Sequence, residues 1–330
     1  MKFLFFTDTH IRGTNPRARL DDFEKTLYNK FEELLSYVRL NNIDYVLFGG
    51  DLLDRPDVSL SVMQKFIDVL NKFPKPIYMV LGNHDIYGQN PNTVNRTIIG
   101  ILETLGIVWI LDDKPVELND GKVKIKITGS SFTYDIDVDS SKSKYVANKG
   151  ECDYLIHIAH GMLMEKPFIK EVPHTTIDEI IQRTEADITL CGHYHTGYGI
   201  IKIENKYIVN PGAIVRINNS LAEIKRQPSF AIIDINENIS VYIEKLKSAP
   251  RGEDILDRSF IKIQEQREIL FNNIIQTVNT YGEFEMLSIN QIVEEVAKKE
   301  SIPDEIKKEV LDRLTRAHII LSKEVVDWFI

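Results

Sequence analysis

The 330-residue chain is 43% hydrophobic and 27% charged, the composition of an ordinary globular protein with room for one large core and an appendage. Its formal net charge of -9 speaks against a protein held to nucleic acid by bulk electrostatics, but leaves open a nuclease whose carboxylates are offset by bound metal ions. No stretch approaches the roughly 20 continuous apolar residues of a membrane span, the opening MKFLFFTDTH soon turns polar, and Cys152 and Cys191 form no CxxC pattern. A cytoplasmic protein without membrane association is expected, its cysteines acting as small apolar residues.

In chain order, KFLFFTD (2–8) has the length and apolarity of a buried strand. Residues 21–39 then place Phe23, Leu27, Phe31, Leu34, Leu35 and Val38 at helical spacing behind the candidate caps Asp21 and Asp22. IDYVLFGGD (43–51) predicts a second strand, and a helix from about Ser59 carries Leu60, Met63, Ile67 and Leu70 on one face. KPIYMVLGNHD (75–85) predicts a third strand, followed by a helix over 92–105. This β-α-β-α-β alternation implies a largely parallel sheet with helices on its faces.

After Gly106 the rhythm changes. Residues 107–130 and 199–245 read as shorter strands with turns, which points to a second or mixed sheet. Between them come a buried strand at 154–160, a helix near 175–183 and a strand at 187–191, while the polar segment 132–150 reads as a long surface loop. From about residue 253 the chain turns helical, which places a boundary near SAPRGED (248–254) and divides it into residues 1–250 and 251–330.

Asp8 and His10 stand two apart at the end of the first predicted strand; extended backbone would point them to the same side. Asp51 follows the second strand, Asn83, His84 and Asp85 the third, His160 ends the next, and His193 and His195 follow the last. Each group lies just beyond the carboxyl end of a strand, where ligand sites of open α/β sheets collect. Imidazoles mixed with two carboxylates and an amide oxygen suit manganese, iron or zinc rather than calcium or magnesium. Seven ligands exceed what one tetrahedral ion takes. They suit two ions sharing a carboxylate, an arrangement that holds a phosphate ester, generates hydroxide at neutral pH and stabilises the leaving oxygen.

The series DTH (8–10), GGD (49–51), GNHD (82–85), HG (160–161) and GHYH (192–195) resembles the calcineurin-like metallophosphoesterases in order and approximate spacing. The resemblance covers roughly residues 1–245 and implies a four-layer α/β/β/α sandwich with a dinuclear centre and, here, a mainly helical C-terminal appendage. It implies one metal on Asp8, His10, Asp51 and His195, and another on Asp51, Asn83, His160 and His193, most simply two Mn2+ ions, with Fe2+ or Zn2+ as alternatives. It further implies that His84 contacts the scissile phosphate and assists the leaving group, and that Asp85 orients His84. Within that family, FFTDTHIRGTNPRARLDDFEKTL, the helix after DLLDRP, and NPGAIVRI (210–217) are similar to SbcD-like DNA-repair and recombination nuclease subunits. These work with an SMC-like, SbcC-type ATPase. Arg12, Arg17 and Arg19, in the loop after the first ligands, are candidate DNA contacts.

Residues 251–330 carry 11 basic and 16 acidic side chains, the wrong balance for a DNA-gripping arm. Ile289, Ile292, Val293, Val296 and Ala297 mark one amphipathic helix there, and Ile306, Val310, Leu311 and Leu314 another. A module that binds the ATPase or a second copy of the chain, a structural cap, and a helix-turn-helix DNA reader are the readings open to it. His157, three before His160, faces the other side of its strand and is expected to be structural; His174 and His318, without companions, are expected at the surface. Two further functions stay open: a phosphodiesterase or phosphatase acting on nucleotides or phosphoproteins, and a nonenzymatic scaffold that recruits an ATPase.

Overall fold

The computed structural model describes residues 1–259, 289–300 and 302–313. Five strands open the chain: β1 (Lys2–Phe6), β2 (Tyr45–Phe48), β3 (Ile77–Met79), β4 (Val108–Ile110) and, pairing elsewhere, β5 (Val116–Asn119). Helices α1 (Phe23–Leu40), α2 (Leu60–Leu70) and α3 (Ile98–Thr104) lie between the first four. There follow β6 (Lys124–Ser130), β7 (Tyr154–His160), the short pair β8 (Leu163–Met164) and β9 (Thr175–Thr176), α4 (Ile177–Ile180), β10 (Ile188–Gly192), β11 (Gly199–Ile203) and β12 (Lys206–Asn210). Helix α5 (Leu221–Lys225), β13 (Ser229–Ile235), β14 (Ile239–Lys245) and α6 (Gly252–Ile255) complete this part.

Two six-stranded sheets result, ordered β14-β13-β1-β2-β3-β4 and β11-β12-β10-β7-β6-β5. In the first, β1 to β4 run parallel and β13–β14 add an antiparallel edge; in the second, β6, β7, β10 and β12 run parallel between antiparallel edges β5 and β11. The side-chain period of 2 sets the layers. Phe3 and Phe5 of β1 enter the core between the sheets with Ile127, Ile156, Ile158 and Leu190. Leu4 and Phe6 enter the core beneath the helices with Leu27, Phe31 and Leu34 of α1. Because both faces of β1 are buried, its sequence is a continuous apolar run rather than an alternating one. On the far side of the second sheet, Ile177 and Ile180 of α4 cover Ala159, Cys191 and Ile208. Helices, sheet, sheet and a thinner helical layer make up the α/β/β/α sandwich.

Several expected elements are shorter than predicted. The helix over 92–105 is a 3-10 turn, Pro91–Arg96, followed by α3, because Thr97 leaves helical geometry and caps Ile99 N with its hydroxyl. The helix near 175–183 is the single turn α4, started by a capping box between Thr176 and Glu179. Segment 132–150 is not merely a surface loop: Ile136, Asp137 and Tyr145 are buried, and the Asp137 carboxylate accepts from Tyr145 Oη, Thr175 Oγ1 and Met162 N at 2.7–2.8 Å. Cys191 is buried and Cys152 half-buried.

The chain divides into two units, Met1–Asp257 and Arg258–Ile330. Within the first, Leu256 bridges Arg19. In the second, α7 (Ile289–Lys299) and a helical stretch at 304–313 bury Val293, Val296 and Val310 in a small apolar cluster. Leu314 and His318 lie outside the described residues. No helix among the described residues is long and apolar enough to cross a membrane.

Candidate metal centre

The parallel strands β1, β2 and β3 of one sheet, and β7 and β10 of the other, deliver their following residues to one place. The loops after β1 and β2 are zipped together: Asp8 N donates to Gly50 O (3.1 Å), Thr9 N and His10 N to Asp51 O (2.9 and 3.1 Å), and Ile11 N to Leu52 O (2.9 Å). The expectation of extended backbone at Asp8 and His10 is overturned here. The strand ends at Phe6, and Asp8, His10, Asp51 and His193 take φ of 54°, 45°, 57° and 74°, the left-handed region. Each such residue costs about 1–3 kcal/mol, and the interloop hydrogen bonds are what hold it there. Glycine is required at two neighbouring positions. A Cβ on Gly82 would enter the Asp51 carboxylate, and one on Gly50 would strike the His160 ring.

Asp51 lies at the middle of the cluster. Its Oδ2 is 3.3 Å from His160 Nε2 and 3.7 Å from His10 Nε2, and its Oδ1 accepts from His84 N at 2.9 Å. His195 Nε2 stands 3.0 Å from His10 Nε2 and 3.6 Å from Asp8 Oδ1. Two donor sets emerge with Asp51 in both, one of Asp8, His10, Asp51 and His195, the other of Asp51, His160 and His193, each with its atoms within 4.8 Å of one another. Asp51 Oδ2, Asn83 Oδ1 and His160 Nε2 are buried with no hydrogen-bond partner in the protein. Buried polar atoms left so cost about 1–3 kcal/mol each, and divalent ions bound to these lone pairs would remove that cost. The donors therefore fit two divalent ions that share Asp51.

Ring orientation agrees with that use. His160 Nδ1 donates to Gly49 O at 2.7 Å, which turns Nε2 toward Asp51 as the nitrogen a metal would take in place of its proton. Burial draws His193 and His195 down to about 4 and His10 well below its usual value, so all three are neutral at pH 7, as ligands must be. Burial opposes charge on both His160 and Asp51, but their mutual attraction prevails: His160 rises to about 9 and Asp51 falls well below the usual carboxylate range. Burial lifts Asp8 to about 7.

His84 adjoins His10, ring centroids 4.8 Å apart, and its Nδ1 bonds Asp54 O at 2.7 Å. The imidazole's partner is thus a backbone carbonyl rather than the Asp85 carboxylate, whose expected orienting role needs correction. Asp85 is fully buried and accepts from Asp51 N, Gly82 N and Leu53 N at 2.8–2.9 Å, tying the second and third loops together. Among the candidate DNA contacts, Arg17 is exposed and Arg12 bonds Asp54 Oδ1 (3.0 Å) and Thr14 Oγ1 (3.2 Å). Arg19 does not qualify: its side chain is 0% exposed, paired with Asp21 at 2.6 Å and donating to Arg216 O. His157 is buried between Thr128 Oγ1 and Lys144 O, both at 2.8 Å, and His174 bonds within its own loop.

Sequence reasoning missed Thr7, whose hydroxyl donates to Asp8 Oδ2 at 2.7 Å, and Asp54, which holds His84 and Arg12. It also missed Phe132, whose ring packs 5.5 Å from that of His193 and 6.2 Å from that of His160. Asp54 had a local signal, sitting three residues after Asp51 in DLLD. Phe132 had none, because it arrives from the second sheet's loop.

Residues 1–197 match the calcineurin-like phosphoesterase family, and the chain belongs to it. A DNA double-strand break repair protein Mre11 of Nanoarchaeum equitans is 28% identical over 254 residues, 70% of this chain and 65% of that protein. The Thermoplasma acidophilum protein of the same description is 27% identical over 107 residues, 32% of this chain and 27% of that one. The chain thus matches less than two thirds of either relative's length. A solved dimetal phosphatase from Danio rerio has the same fold at TM-score 0.50 with 11% identity, over 74% of this chain and 96% of that one.

Proposed function

We propose that this protein is a two-metal DNA phosphodiesterase, an exonuclease and endonuclease of repair or recombination that works beside an SMC-like ATPase in the cytoplasm. The observation that carries the reading is the meeting of two donor sets at Asp51, with Asp51 Oδ2, Asn83 Oδ1 and His160 Nε2 buried and free of hydrogen bonds to the protein. The similarity to Mre11 relatives supports DNA as substrate and an SMC-like ATPase as partner. Asp8, His10, Asp51 and His195 would hold one ion and Asp51, Asn83, His160 and His193 the other, Mn2+ being our choice. When bound, such a pair supplies an activated nucleophile at neutral pH and stabilises the departing oxygen.

The chain's own residues do the rest. Asp54 O fixes the His84 proton on Nδ1, so Nε2 is the nitrogen left to meet the phosphate and to pass a proton to the leaving sugar oxygen when the ring is charged. Arg12, next to Asp54, and Arg17 meet flanking phosphates. Residues 1–250 form the phosphoesterase domain, and 251–330 a helical module that docks the ATPase or a second copy of the chain.

The test is the Mn2+-loaded chain on labelled linear duplex DNA, single-stranded DNA and a small phosphodiester. Cleavage of both DNAs well above the small diester is expected. Fast turnover of the small diester with indifference to DNA would overturn the substrate in favour of a nucleotide or phosphoprotein phosphoesterase, and no turnover of any would favour a scaffold.

A further inference from the structure

The segment after β12 is buried without being helix or strand: Ala213, Ile214, Val215 and Arg216 are at most 1% exposed. Irregular backbone in that position must have every polar group satisfied by something else. Its carbonyls are met by buried cations. Arg226 Nη1 donates to Ala213 O (2.6 Å), Lys30 Nζ to Ile214 O (2.6 Å), Arg226 Nη2 to Val215 O, and Arg19 Nη1 to Arg216 O (3.1 Å). Four consecutive carbonyls thus rest on three cationic side chains, two from the first 30 residues and one from just after α5. Charge-assisted bonds of this kind are roughly twice as strong as neutral ones.

The amides of the same segment reach the metal centre. Ala213 N donates to His195 O at 2.9 Å and Ile214 N to Thr7 O at 3.2 Å. Thr7 in turn donates its hydroxyl to Asp8 Oδ2. One rigid strand of chain therefore spans from the end of β1 to the loop after β10, and the two ligands at its ends, Asp8 and His195, belong to the same donor set, 3.6 Å apart.

We propose that Lys30, Arg226 and Arg19 are positioning residues for one of the two metal sites: by clamping the carbonyls of 213–216 they fix the separation of Asp8 and His195. The other site takes His160 from β7 itself, and its link to the segment is one step more remote, through His193 N, which donates to the Asp8 carboxylate at 3.2 Å, so its dependence is weaker. Lys30 is 1% exposed and directs its ammonium to Ile214 O. Burial and the charges of Arg19, Arg216 and Arg226 pull its ammonium well below the usual range, against the opposing attraction of Asp21. The inference rests on the two-metal reading of the site and not on the identity of the substrate.

Lys30→Met keeps side-chain length and removes the donor; Arg226→Lys keeps the charge and removes the fork that spans two carbonyls. Each is titrated with Mn2+ by calorimetry and followed by electron paramagnetic resonance, beside Lys206→Met as control. Lys206 also caps buried carbonyls, Ile181 O and Thr184 O, but has no link to the 213–216 segment. In the two test variants one Mn2+ should weaken about tenfold to a hundredfold, the other should weaken less, and the spin-coupled spectrum should give way to that of an isolated ion. Lys206→Met should lower the melting temperature and leave both affinities alone. Two ions bound at unaltered affinity with a coupled spectrum in a folded test variant would overturn the proposal. If Lys30→Met does not fold, Arg226→Lys decides by the same readings. An unaltered chain that takes up fewer than two Mn2+ overturns the two-metal reading, and the positioning role with it.

Discussion

The loops of the two sheets contribute unlike halves to the centre. Those of the first sheet bring the amide of Asn83 and, on left-handed backbone zipped by hydrogen bonds between loops, both carboxylates and His10. Those of the second bring only imidazoles: His160, sealed at a strand end, and the half-buried His193 and His195. The oxygen half sets the charge and the bridge, whereas the nitrogen half sets occupancy ion by ion. Asp51, the one ligand common to both donor sets, lies in the first half, so damage there should be felt by both ions, whereas damage to any one imidazole of the second half should be felt by one.

The largest break in that comparison is Asp51→Asn, which should cost hydrolysis roughly 10^4-fold or more and reduce both metal affinities together. A variant that still holds two ions tightly, by metal analysis after dialysis, would refute the bridge. His84→Ala comes next, with a loss of about a hundredfold to several thousandfold in turnover and both ions retained, since His84 bonds Asp54 O and not a ligand. Full activity in that variant would remove His84 from the chemistry.

A smaller effect comes from protons. Between pH 7 and 9 the imidazoles of His10, His193 and His195 are already neutral and Asp51 is ionised. Asp8, lifted to about 7, gives up its proton at the start of this window, and His160, held up to about 9, is the ligand that loses one across the rest of it. Its folded value lies above the unfolded one of about 6.5. The stability this pair gives the metal-free fold is therefore complete below about pH 6.5 and is lost as pH rises through about 9. Mn2+ must displace that proton, so metal affinity should climb over the same window while the chelated protein's melting temperature drifts down. Calorimetry at several pH values checks both, and an affinity flat from pH 7 to 9 would show that His160 carries no competing proton. Smallest is Arg17→Ala, which should weaken DNA binding a few-fold and lower the salt slope by about 1. Arg19→Ala should instead act through folding, because Arg19 is committed to Asp21 and Arg216 O; a clean DNA-binding defect at unchanged stability would reverse that assignment.

The strands behind the centre were legible because buried parallel strands spell themselves as apolar runs, as in KFLFF, and because the ligands follow those runs directly. What was not legible depended on partners distant in sequence. The backbone of Asp8 and His10 is set by Gly50 and Asp51, more than 40 positions away, and not by the local alternation that implied an extended chain. Arg19 looked like a loop charge until Asp21 and Arg216 O were brought against it. Segment 132–150 is polar in composition, yet Ile136, Tyr145 and Asp137 are enclosed by β7, β8 and β9. His84 and Asp85 are neighbours in sequence but turn apart, one to a carbonyl and one to three amides.

Gly82 carries no functional group, yet a methyl there would occupy the space of the bridging carboxylate. In a scan of all substitutions, this silent position should tolerate as little as Asp51 itself, and Gly82→Ala should mimic a ligand mutant in metal analysis while every ligand remains in place. Intolerance to change in this fold therefore maps the volume the bridging ligand needs, and not only the atoms that bind an ion.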